Sequence, residues 1–143
     1  MKQNICWSLL ILLLLPLKVA FADNLDAVFQ TVQIDDAVIE YDAVSQRNQI
    51  KLSITNKGAE NLTLVGVRGA GLSITEFQVK LEEGVYSYLG SLTIEPGLTL
   101  DFSTGHLKLV DLSQRPEESR EETLYLQTVR GEIPFSAHVR QTR

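Results

Sequence analysis

From residue 33 onward the chain shows a hydrophobic period of two, returning in short runs bounded by turn residues, and this pattern restricts it most. Ile50, Leu52 and Ile54 alternate with Lys51, Ser53 and Thr55, and Ile133, Phe135, Ala137 and Val139 repeat the pattern near the end. Successive strand side chains point to opposite faces, so this spacing puts one apolar face on a core and the other in water. Beyond residue 22, no run of ten or more residues carries an apolar stripe at helical spacing. Strands are expected at 33–39, 50–55, 62–67, 73–81, 85–89, 123–129 and 133–139, with Asn56-Lys57-Gly58 as a turn. Between them, Pro96-Gly97 precedes Leu98, Leu100 and Phe102; Ser103-Thr104-Gly105 separates these from Leu107 and Leu109. That stretch reads as a hairpin with His106 at its rim. The segment 113–122 is polar, charged and broken by Pro116, so it reads as a solvated loop. Many short strands at close spacing predict an all-β fold, an antiparallel β-sandwich of two sheets.

The first 22 residues do not share this pattern. Lys2 is a charged start, Ile5–Leu15 an apolar core, and Ala20-Phe21-Ala22 a small-x-small cleavage site, which together predict an exported chain with a signal peptide at 1–22 and one domain at 23–143. Pro16 and Lys18 interrupt the apolar run before it reaches the roughly 18–20 residues of a membrane span, so no membrane anchor is expected after cleavage. Cleavage would remove the single Met, Cys and Trp, leaving 121 residues and no disulfide. A domain of this size buries a core without such staples. Losing Lys2 and Lys18 leaves 11 basic against 18 acidic residues, a net charge of −7. Such a balance argues against nucleic acid as a partner, because that affinity depends on lysine and arginine neutralising phosphates.

Catalytic signatures are missing. The chain has no Gly-x-Ser-x-Gly elbow, no nucleophilic cysteine beyond residue 22 and no phosphate-cradling glycine loop, and its two histidines are too few for a metal-enzyme centre. Asp35 and Asp36 are adjacent, so on a strand they would face opposite ways. The expectation is a protein that is not an enzyme.

Several short segments, in order, resemble the PCu(A)C periplasmic copper chaperones. Ile34-Asp35-Asp36-Ala37 is similar to the family's opening strand, Leu52–Gly58 to its second strand and turn, and Leu64-Val65-Gly66-Val67 to the strand that follows. Glu82-Glu83-Gly84-Val85 is similar to its acidic turn, and Leu124–Arg140 to its closing strand pair. The resemblance implies a cupredoxin-like β-sandwich, a periplasmic address, and copper handling linked to cytochrome oxidase. It also implies a ligand set of His, Met and His-x-Met. Position by position, Phe77 falls at the first His, Tyr88 at the first Met with ten residues between them as in the family, His106 at the second His and Lys108 at the second Met; 17 residues separate Tyr88 from His106. One ligand of four is kept.

That substitution pattern bears directly on the chemistry. Cu(I) is soft and prefers thioether and imidazole donors, whereas a lysine ammonium has no lone pair and repels a cation. Phe77 offers no donor, and the Tyr88 phenol would first have to lose a proton at an ordinary pKa near 10. The reading is therefore an exported copper-chaperone-like binding or accessory protein with a degenerate copper site and no bound cofactor. Phe77, Tyr88, His106 and Lys108, joined by Tyr86, then form a surface for a protein partner in the periplasm. The plain reading of the aromatics is inward packing for Phe77, with the tyrosines over a sheet edge. The rival function is an active metallochaperone with a site rebuilt around His106, with Asp101, Asp111 or Glu76 supplying oxygen for a harder Cu(II) or Zn(II) ion. A rim histidine outweighs that rival, because metal sites need several convergent donors. His138 alternates outward and reads as a surface residue.

Overall fold

A computed structural model describes residues 30–69, 71–72, 75–112 and 121–140. The expected leader at 1–22 and most of the expected loop at 113–122 lie outside them. The described residues form ten strands: β1 Val32–Asp42, β2 Arg47–Asn56, β3 Leu62–Gly69, β4 Thr75–Glu82, β5 Val85–Leu89, β6 Leu92–Ile94, β7 Thr99–Asp101, β8 Leu107–Asp111, β9 Glu121–Thr128 and β10 Gly131–Arg140. Each strand expected from alternation is present, within a few residues. β6 was not expected, because three residues are too few to display a period. Glu121 and Glu122, assigned to the loop, begin β9 instead. Among the described residues, no helix is long and apolar enough to cross a membrane.

All ten strands join one sheet in the order β5-β4-β8-β2-β1-β10-β9-β3-β6, with β7 also on β2. The sheet curls until β4 meets β3, so the expected sandwich is built from one continuous barrel-like ladder and not from two separate sheets. Thr75 helps to close the curl: its hydroxyl accepts from Val67 N–H at 2.9 Å and donates to Val67 C=O at 2.8 Å, tying β4 to β3. One pairing departs from the antiparallel expectation. β1 and β10 run parallel, with Val38 opposite His138 and Glu40 opposite Arg140. Inside lie the alternating residues of every long strand, among them Ile39, Ile50, Leu52, Ile54, Leu64, Phe77, Leu109, Leu124, Leu126 and Val139. Burying each such side chain is worth about 1.5–3 kcal/mol.

The hairpin expected over residues 98–109 is not formed. β7 pairs antiparallel with Ser53–Thr55, and β8 pairs antiparallel with Asn48–Ile50, so both run in one direction along the same neighbour. Residues 102–108, seven in number, lie between paired positions where β2 has only 51 and 52. Ser103-Thr104-Gly105 thus expels a short excursion and does not reverse the chain. Phe102 explains why. Its N–H donates to Leu52 C=O at 2.9 Å, and its ring is fully buried 5.9 Å from Phe77, so the chain is pinned to β2 as the excursion begins. Leu98, expected on the inner face, is 54% exposed ahead of β7.

Candidate functional site

His106 ends the excursion and is exposed. Its backbone is held although its ring is outside the core: Lys80 N–H donates to His106 C=O at 2.8 Å, and Tyr86 Oη donates to Gly105 C=O at 3.1 Å. Gly105 sits at φ +80°, a left-handed conformation that glycine adopts without a Cβ penalty. At the other end of the excursion, the Asp101 carboxylate accepts from the Ser103 hydroxyl at 2.6 Å and the Ser103 amide at 2.8 Å. Those two bonds hold its pKa below the ordinary aspartate value. The loop is therefore fixed at both ends by bonds that the turn residues make themselves.

The four positions matched to copper ligands do not converge. Phe77 is 1% exposed and packs on Phe102, whereas Tyr88, one strand away, is 63% exposed. They lie on opposite faces of the sheet because of a bulge: Lys80 pairs with Tyr86 and Glu82 with Val85, leaving Leu81 unpaired. A one-residue slip moves every following side chain to the other face. Gln78, not Phe77, therefore stands opposite Tyr88, and Gln78 is in turn paired with Lys108 on β8. Tyr88, Gln78 and Lys108 form one row across the outer face. Phe77 must accordingly be removed from the expected partner surface, since its ring belongs to the core. Gln78 is the residue that sequence reasoning missed. Counting back from the Glu83-Gly84 turn could not find it, because an ideal two-residue turn pairs Tyr88 with Val79 and a bulge leaves no local signature.

Beside this row, Lys108 Nζ lies 4.2 Å from the centroid of the Tyr86 ring, a cation–π contact. The carboxylates considered as partners of His106 are scattered. Asp111 is fully buried at the far end of β8, with its carboxylate accepting from Asn48 Nδ2 at 3.1 Å. At about 3.3 Å per strand residue it is roughly 16 Å from His106 along the chain. Glu76 is paired in register with Val110 and accepts from Gln78 Nε2, and Asp101 is engaged with Ser103. Among the described residues, no three His, Cys, Asp or Glu side chains group to hold a metal ion. His138 is exposed on β10 opposite Val38, as its alternation predicts.

Three solved structures similar to this one are PCuAC domains. The copper-bound PCuAC domain from PmoF2 superposes with a TM-score of 0.64 at 14% identity, over 78% of this chain and 94% of that one. The metal-free PmoF2 domain gives 0.63 at 14% identity over 78% and 90%, and the metal-free PCuAC domain from PmoF1 gives 0.58 at 14% identity over 78% and 95%. This chain has the PCuAC-domain fold. No protein-family model matches it, and no curated protein matches it by sequence. At 14% identity the PCuAC likeness carries the fold alone, so the chemistry of the outer row has to be read from the residues themselves.

Proposed function

We propose that this protein is an exported, non-catalytic binding or accessory member of the copper-chaperone-like proteins, with its copper site dismantled. Its outer β5-β4-β8 face, with Tyr86, Tyr88, Gln78 and Lys108, then contacts a protein partner in the periplasm, in copper handling or cytochrome oxidase assembly. The observation that carries this reading is the Lys108 ammonium stacked on Tyr86, in the row where the family resemblance places a thioether. A cation fixed there repels copper and cannot donate to it. The two tyrosines suit a protein interface, where aromatic side chains concentrate binding energy.

Titration of the purified protein with Cu(I) and with Cu(II) against a competing chelator, alongside His106→Ala, tests the dismantled site. The expected result is no competition by either protein. One equivalent of tightly held copper that disappears in His106→Ala would replace this reading with a metallochaperone rebuilt around His106. Capture from periplasmic extract by the wild type, compared with a Tyr86→Ala/Tyr88→Ala double variant, tests the docking face. A partner held equally by both proteins would place the interface elsewhere.

A further inference from the structure

Eight lysines and arginines lie among the described residues, and five of them face a carboxylate at ion-pair distance: Lys51 and Arg140 with Glu40, Arg68 with Glu132, Lys80 with Glu83, and Arg130 with Glu60. The remaining three are Arg47, Lys57 and Lys108. Among the described residues, then, only three cations have no carboxylate at ion-pair distance, and two of them, Arg47 and Lys108, line one depression. This depression lies on the outer face between the β1–β2 turn and β5. It has a volume of about 420 Å³, within the ordinary range for a small-ligand site.

The rest of its lining suits an anion. Gln49 brings an amide donor, Gln78 an amide whose Nε2 also donates to Glu76 at 3.3 Å, and Tyr86 and Val110 bring apolar surface. Lys108 is steadied by the Tyr86 ring, which leaves its three N–H donors uncommitted to any carboxylate oxygen. Asp42 also lines the depression, but its carboxylate is turned to its own loop: it accepts from Val44 N–H and from the Ser45 hydroxyl, each at 2.9 Å. Lys108 is near enough to help keep Asp42 ionised without forming an ion pair with it. Within the lining, two cations stand against one carboxylate, Asp42, which is in register with Arg47; Glu76 lies just outside the lining, on Gln78.

We infer that this depression is an anion site, in which Lys108 and Arg47 hold a ligand carrying two carboxylates, one beside each cation. Two sources present that chemistry: a free small dicarboxylate, and a peptide ending in aspartate, whose α- and side-chain carboxylates lie side by side. The inference does not depend on copper; it shares Gln78, Tyr86 and Lys108 with the proposed docking face, but its probes are small anions and need no protein partner.

Amide NMR titrations with sodium succinate and with an acetylated tripeptide ending in aspartate, at constant ionic strength, test it. The expected result is saturating shifts at Gln49, Gln78, Tyr86 and Val110 for one or both probes. Affinity should drop about tenfold in Lys108→Gln and in Arg47→Gln, as loss of one charge-assisted hydrogen bond predicts, and stay unchanged in Lys57→Gln, the third cation without a carboxylate. Saturation by succinate alone assigns the site to free dicarboxylates, and saturation by the peptide alone assigns it to chain termini. No saturating shift from either probe overturns the inference, as does affinity that survives in the Lys108→Gln/Arg47→Gln double variant. Retained amide dispersion in each variant separates loss of the site from loss of the fold.

Discussion

Gln78 and Phe77 are neighbours in sequence with opposite fates, and that difference is testable. A triple substitution, Gln78→His with Tyr88→Met and Lys108→Met, would put imidazole and thioether donors on the face that Tyr88 and Lys108 already share, next to the native His106. It should gain Cu(I) in chelator competition, where the same set built with Phe77→His should not. Phe77→His should also lower stability by about 3 kcal/mol or more in urea, because it puts a polar ring among Phe102 and other core side chains. Asn56 is a second residue whose worth the sequence understates. Buried at the end of β2, it donates from Nδ2 to Glu60 C=O at 2.7 Å and to Ile94 C=O at 2.9 Å, and accepts from Gly58 N–H at 3.0 Å. Asn56→Ala should cost about 2–4 kcal/mol in the same measurement, since three bonds go and the two carbonyls lose a donor.

Among elements, the β4–β5 pair and its bulge decide which side chains meet. Deleting Leu81, an exposed residue, should restore an unbroken register and force either β4 or β5 to turn its faces over. The expected outcome is a loss of stability far larger than the removal of one exposed leucine explains, read as a collapse of amide dispersion or a midpoint shift in urea. The contact between β3 and β4 is a milder case. Thr75→Val keeps the shape but removes the hydroxyl that satisfies Val67 N–H and C=O, so a cost of about 1–3 kcal/mol is expected, with faster hydrogen exchange at Val67.

For the whole molecule, acid should be the destabilising direction. Asp42, Glu83, Asp101 and Glu132 all have pKa values below their ordinary ones. At Asp42, burial pushes the pKa up, but bonds from Val44, the Ser45 hydroxyl and the Ser45 amide outweigh it; Lys80 lowers Glu83, Ser103 lowers Asp101 and Arg68 lowers Glu132. A group whose folded pKa lies below its unfolded one stabilises fully above the unfolded value, near 4 for these carboxyls, and that contribution is lost as pH falls through the folded value. Melting temperature should therefore hold near neutral pH and decline below about pH 4. Asp101→Asn should flatten the decline, and an unchanged slope would remove Asp101 from this account.

The sequence by itself determined which of the longer segments are strands and which of their faces are apolar (though not β6 or the exposure of Leu98), where the Asn56-Lys57-Gly58 turn falls, and that past residue 22 no sulfur is present to bind a soft metal. These follow from period-two spacing, turn chemistry and composition, all of which act within a few residues. The tertiary structure alone decided that β1 lies parallel to β10, that β7 and β8 follow one another along β2 where a hairpin was expected, and that the Leu81 bulge sends Phe77 inward and leaves Gln78 between Tyr88 and Lys108. Pairing and register depend on how distant segments pack together, as Phe102 does against Phe77, and alternation within a single strand is the same for either register.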